Sequence, residues 1–344
     1  MDMPNPNRRK LLKASASMLG GAILSSRVTP GFPAVISDLN RPNSKFNGVQ
    51  IGTITYSYRS MPDQSAEAML GYLLDSGINA VELMGDPAEN FAGRPESPLP
   101  RGFRPGAPVP PDMTNAQRQE RDEMLTALAA YNRELAVWRA SVPMTKFEQL
   151  RQMYEDAGVS IYAWKPSVFE IDNTDAEINY GFSVAKALGA SHCTVELPDS
   201  PTQSLRLGRL AERNGVYIAY HTHEQASIDV FNTAFSQSDF NRSNVDLGHY
   251  VAAPEGRNPL AFIAAHHDKI SSAHLKDRQL QENGAGNLAW GTGDTPLVEI
   301  LQRVRDQGYT FPITAELEYQ IPEGSNAVLE VAKCVEFCRN VLEA

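Results

Sequence analysis

Eight short runs of apolar and β-branched residues recur along the chain, at 49–56, 78–84, 159–164, 191–197, 216–222, 243–248, 270–275 and 311–317. They are mostly continuous rather than alternating, the pattern of strands covered on both faces in a parallel sheet. Most of the gaps carry apolar residues at helical spacing, at 66–74, 146–157, 176–188, 204–213, 259–267 and 296–307, and an amphipathic stretch at 326–342 follows the last run. Glycine stands between a helical segment and the next run in Ser76-Gly77-Ile78, Ala157-Gly158-Val159, Asn214-Gly215-Val216 and Gln307-Gly308-Tyr309, where a helix end calls for a left-handed residue. Strand and helix alternating eight times predict an α/β chain folded as a (β/α)8 barrel over residues 48–342.

One gap breaks the rhythm. Roughly seventy residues separate the second and third runs. Of these, 94–112 are rich in Pro, Gly and Arg without periodicity and read as a surface loop. Thr114 and Gln117 then have the spacing of a capping box, which predicts a long helix to about Trp138. An insertion over about 86–145 follows the second strand, at the end of a barrel where active sites lie. It reads equally as a lid on the rim or as an oligomerising appendage, so a homo-oligomer is one expectation.

Composition narrows the function classes. The 344 residues are 42% hydrophobic and 21% charged, which is globular, and the formal charge is −10. That balance argues against a nucleic-acid or anionic-membrane partner, which needs a concentrated basic face. Arg8, Arg9, Lys10 and Lys13 precede a short stretch rich in Ala, Gly and Ser over 14–25. It is too short for a stable membrane span, and reads as an export signal over residues 1–34. The paired arginines resemble a twin-arginine signal, which implies a periplasmic protein exported already folded, commonly with its cofactor in place. Three cysteines give no disulfide framework, and Cys334 and Cys338, four apart on one helical face, read as buried thiols.

The chemistry collects where the apolar runs stop. Glu196 ends the fourth run, His221 and His223 the fifth, Asp246 and His249 the sixth, His274 and Lys276 the seventh, Glu316 and Glu318 the eighth. In a (β/α)8 barrel these positions share one mouth. His221, Asp246, His274 and Glu316 fall in register on strands five to eight, and mixed imidazole and carboxylate donors suit a divalent cation of the Mn, Co or Zn type. Four protein ligands leave coordination positions open, which marks a catalytic ion rather than a structural one.

With these motifs the chain resembles the xylose isomerase-like TIM-barrel superfamily, often labelled sugar phosphate isomerase/epimerase. The resemblance is carried by Ala80-Val-Glu82-Leu, Thr194-Val-Glu196-Leu, Ala219-Tyr-His221-Thr-His223, Asp246-Leu-Gly-His249, His274-Leu-Lys276-Asp277 and the Glu316 strand. It implies one divalent ion (Mn, Co, Zn or Mg) held by a fifth-strand carboxylate, a sixth-strand Asp, a seventh-strand His and an eighth-strand Glu. The last three carry over to Asp246, His274 and Glu316. The fifth-strand position holds His221 instead of the Glu of the ketose 3-epimerases, so Glu196 becomes a candidate for the missing carboxylate, as ligand, base or both.

The resemblance implies a metal-dependent isomerase or epimerase. The ion would chelate a carbonyl and adjacent hydroxyl as a Lewis acid while a base removes the neighbouring C–H proton to give an enediolate. Glu196, Glu316 and His223 are the base candidates. Glu82, Lys165, His249 and Lys276 are expected to bind substrate, with a Glu82–Lys165 ion pair as the structural alternative for the first two. Asp277 and Arg278 read as a pair at the rim, and the Gly284-to-Gly293 stretch as a mobile rim loop. Export points to an unphosphorylated sugar, keto-sugar or cyclitol. The alternatives are a metal-dependent lyase or hydrolase of 3-keto-glycosides and a non-catalytic sugar-binding protein. An endonuclease IV-like phosphodiesterase is disfavoured by charge and by the supply of ligands.

Overall fold

The computed structural model describes residues 41–344, apart from 101, 102, 104, 105 and 257. Eight strands form a closed parallel barrel: β1 (Val49–Ile54), β2 (Ala80–Met84), β3 (Ser160–Lys165), β4 (His192–Glu196), β5 (Tyr217–His221), β6 (Asn241–Asp246), β7 (Ile270–Leu275) and β8 (Ile313–Ala315). Each pairs with its neighbours in chain order, and β8 pairs with β1 to close the ring. The eight predicted runs are the eight strands. A two-residue strand, Lys45–Phe46, extends β1 antiparallel through an Asn47-Gly48 turn, where both residues have positive φ.

The helices outside the barrel are α1 (Ala66–Asp75), α2 (Gly85–Phe91), α3 (Asn115–Ser141), α4 (Thr145–Asp156), α5 (Asp175–Leu188), α6 (Pro201–Asn214), α7 (Asn232–Gln237), α8 (Leu247–Ala252), α9 (Pro259–His266), α10 (Leu297–Asp306) and α11 (Ala327–Glu343). Gly189 and Gly215 take left-handed conformations after α5 and α6, where residues with a Cβ are disfavoured. Cys193, Cys334 and Cys338 are buried free thiols.

The long gap between β2 and β3 holds α2, α3 and α4. Thr114 and Gln117 form the capping box that starts α3, each accepting from the other's backbone N–H. The buried residues of this 27-residue helix, Tyr131, Leu135 and Arg139, lie in its second half. Arg139 donates twice to Glu89, at 2.8 and 3.1 Å, and Tyr180 and Arg94 donate to the same carboxylate. Glu89 is 2% exposed. A buried carboxylate with this many donors repays its desolvation and ties the insertion to the barrel.

The barrel interior is unusually polar. Tyr162 fills space left by Gly52, where a Cβ would lie 2.6 Å from its ring, and its hydroxyl bonds Thr314 at 2.7 Å. Above it Glu82, His192, Thr194, Asn244, Ser272 and His274 are all buried and hydrogen-bonded to one another. Such a network is stable only when nearly every member is satisfied, and here it fixes the rotamers beneath the mouth.

Candidate metal centre

Strand register brings the strand-end residues together. Glu196 lies directly opposite His221, and Asp246 opposite His274. Glu316 follows the end of β8, two residues beyond Thr314, which is opposite His274. In space His274 Nδ1 is 3.0 Å from Glu316 Oε2 and 3.9 Å from Asp246 Oδ2, while His221 Nε2 is 4.0 Å from Asp246 Oδ2. His221, Asp246 and His274 offer ligand atoms that all lie within 4.8 Å of one another, and Glu316 adjoins this group through His274. The four imidazoles of His221, His223, His249 and His274 line the space, with neighbouring ring centroids 4.6–5.0 Å apart.

Each inner imidazole is anchored by its outer nitrogen. His221 Nδ1 meets Asn244 Oδ1 at 2.9 Å and the Asn244 carbonyl at 3.2 Å, so Nδ1 carries the hydrogen and Nε2 presents its lone pair to the cage. His274 Nε2 donates to Glu82 Oε2 at 2.8 Å, which turns Nδ1 the same way. A carboxylate or amide behind a histidine is the arrangement that orients metal-binding imidazoles. Asp246 divides its two oxygens: Oδ1 caps α8 by accepting from His249 N at 2.7 Å, and the buried Oδ2 faces the Lys276 ammonium at 2.9 Å.

Burial and charge set the protonation states. Burial drives His221 well below its ordinary pKa, assisted by the Lys165 charge, and keeps it neutral. Burial would lower His274 too, but the Glu82 and Glu316 carboxylates outweigh it and raise it to about 10. Glu316 goes the other way: burial opposes ionisation, yet Lys276 and His274 hold it well below the ordinary carboxylate value. Burial raises Asp246 against the pull of Lys276. The donor set therefore fits a divalent ion of borderline softness: a neutral imidazole with an oriented tautomer at His221, a second imidazole at His274 that becomes a ligand once its Nδ1 proton leaves, and two buried carboxylates.

The remaining expected site residues divide between the mouth and the interior. Glu196 is half exposed at the mouth, bound by Lys165 Nζ at 2.9 Å and 3.4 Å from His223 Nδ1. Glu196, His221 and His223 also form a group whose ligand atoms lie within 4.8 Å of one another. Lys165 thus pairs with Glu196, not with Glu82. Glu82 was expected to reach the substrate; it is fully buried behind His274, held also by Thr194 and Asn244. Lys276 was expected to face the substrate as well, but is 2% exposed and lies among Asp246, Glu316 and Glu318. His249 is 9% exposed, beside Arg278 and 3.9 Å from Glu318.

Asp277 and Arg278 do not pair with each other. Asp277 Oδ2 accepts from the backbone of Gly291, Thr292 and Gly293, which pins the rim loop, while Arg278 reaches His249 and Glu224. Asn244 behind His221, and the contact of Arg278 with His249, lie outside the expected set of site residues. Asn244 precedes Asp246 by two, so strand alternation alone puts it on the same inward face.

A family model described as xylose isomerase-like TIM barrel matches residues 124–339. No curated protein sequence matches the chain. Among solved structures, a xylose isomerase domain protein from Alicyclobacillus acidocaldarius is 13% identical, with a TM-score of 0.57 over 86% of this chain and 100% of its own. A xylose isomerase-like TIM barrel protein from Mycobacterium smegmatis in complex with magnesium is 15% identical, with a TM-score of 0.51 over 86% and 97%. A D-psicose 3-epimerase studied in the presence of D-fructose is 11% identical, with a TM-score of 0.54 over 86% and 100%. Identities this low carry the fold alone. Among the described residues, no helix is long and apolar enough to cross a membrane.

Proposed function

The chain belongs to the xylose isomerase-like TIM barrel family, and from that premise we propose that it is a divalent-metal-dependent isomerase or epimerase of an unphosphorylated sugar, keto-sugar or cyclitol. The observation that carries this reading is the pair of anchored imidazoles, His221 and His274, turned toward the Asp246 and Glu316 oxygens on neighbouring strands. His221, Asp246, His274 and Glu316 would hold the ion. When bound, it supplies Lewis-acid polarisation of a substrate carbonyl and the adjacent hydroxyl.

The protein's own groups divide the remaining work. Glu316 is kept ionised by Lys276 and His274, which makes it a good ligand and a poor base. Glu196 stands at the mouth with Lys165 and His223 beside it, and is the group suited to take the proton from the carbon next to the carbonyl. His223 is half exposed and within reach of Glu196, so it can carry that proton to the substrate's other oxygen or to solvent. The polar shell beneath, from Glu82 to His192, keeps the ligands oriented without touching substrate.

A single carboxylate base at the mouth also supports a second reading, β-elimination from a 3-keto-glycoside, which needs only one base and a leaving group. An export signal over residues 1–34, outside the described residues, would place either activity in the periplasm, where an unphosphorylated substrate fits. Incubating the metal-loaded protein in D2O with a panel of keto-sugars and 3-keto-glucosides tests the choice. Solvent deuterium in a new epimer or isomer supports isomerisation. Aglycone release without a new epimer overturns it in favour of elimination, and saturable binding with neither product leaves a sugar-binding protein.

A further inference from the structure

Resting on the metal reading above, we propose that Lys276 is the cage's own cation, and that a divalent ion enters by displacing its ammonium from Asp246 and Glu316. Nζ lies 2.9 Å from Asp246 Oδ2, 2.9 Å from Glu316 Oε2 and 2.5 Å from Glu318 Oε2, at a residue 2% exposed. Two of these oxygens are the ones that face His221 Nε2 and His274 Nδ1. The ammonium therefore already neutralises the atoms that a divalent ion needs. Two cations sharing the same carboxylate oxygens in a buried site repel.

The fold makes room for this side chain. Gly248, at the start of α8, sits where a Cβ would come within 2.5 Å of Lys276 Cγ, so only glycine there lets the stem pass. The third partner, Glu318, is 21% exposed, lies 3.9 Å from His249 Nε2 and is outside the group of four expected ligands. It gives the displaced ammonium a place to remain, toward the mouth and away from the ion. Lys276 thus sets how tightly the cage holds a metal, and loading moves its charge from the carboxylates to the rim.

Titration calorimetry of metal-stripped full-length protein with MnCl2 tests this, using wild type, Lys276→Met and Lys276→Gln. Removing the ammonium is expected to tighten Mn(II) binding at least about tenfold, a change of about 1.4 kcal/mol, and to lower the melting temperature of the metal-free form. Unchanged or weaker binding by a folded variant overturns the proposal. Should both variants fail to fold, pulse acetylation of wild type read by peptide mass spectrometry decides: Lys276 should label several-fold faster with Mn(II), with Lys333 unchanged. Equal labelling with and without the ion overturns the exchange. Failure of wild type and both folded variants alike to bind Mn(II), Co(II), Zn(II) or Mg(II) would overturn the metal reading itself, whereas binding by the variants alone supports a dominant lysine.

Discussion

Glu82 Oε2 lies 2.8 Å from His274 Nε2, joining strand β2 to strand β7 across the inside of the barrel. Both side chains are fully buried. Burial would raise the Glu82 pKa, but the facing His274 charge outweighs it and keeps the carboxylate ionised. The imidazole is thereby fixed in orientation, and its other nitrogen is left for the cage.

Glu82→Gln should therefore weaken metal binding without removing a ligand. Loss of such a partner typically costs 10–100-fold in affinity, so about that range is expected by calorimetry with Mn(II). Unaltered affinity in a folded variant would separate Glu82 from the metal centre.

The His274 proton gives a signed dependence on pH. Its ordinary value of 6.5 is raised to about 10 in the fold, so the stability it contributes is present below pH 6.5 and lost as pH rises through about 10. Melting temperatures of the metal-free protein should fall between pH 7 and pH 10. Apparent Mn(II) affinity should rise over the same interval, because the ion takes the place of the Nδ1 proton. A flat melting profile together with pH-independent affinity would count against this account of the cage.

Glu196→Gln should abolish most turnover and spare the metal. A positioned base contributes typically 10²–10⁴-fold, so kcat should drop by roughly that factor while bound metal stays at the wild-type level. Loss of the ion along with activity would make Glu196 a ligand in place of His221.

How much of this was legible in the sequence follows from what strand periodicity encodes. The runs ending at Glu196, His221, Asp246 and His274 gave strands and the residues that close them, because apolar continuity and strand ends are local properties. Position along the barrel is not local. Glu82 stands inside its apolar run, two residues before the end of β2, whereas Glu196 ends β4. Glu82 pairs opposite Ala163, which pairs opposite His192, four residues below Glu196 on β4. Register alone therefore sends one carboxylate inside and the other to the mouth. The place of Lys276 is equally non-local, since its partners come from β6 and from the segment after β8.

The insertion is tied down by a buried charge cluster that the sequence does not reveal, since Glu89 and Arg139 are fifty residues apart. Arg139→Leu leaves Glu89 buried with only Arg94 and Tyr180, and breaking such a pair costs about 3–5 kcal/mol. A lower melting temperature with unchanged metal binding is expected. A melting temperature equal to wild type would show that the cluster does not hold α3 to the barrel.

The central claim is that His221 and His274 together hold a divalent ion at the barrel mouth, and pulsed electron paramagnetic resonance of Mn(II)-loaded protein tests it most directly. The account predicts one Mn(II) per chain with nitrogen couplings from two imidazoles, reduced to one in His221→Gln. Mn(II) bound without nitrogen coupling, or two couplings surviving in His221→Gln, would contradict it.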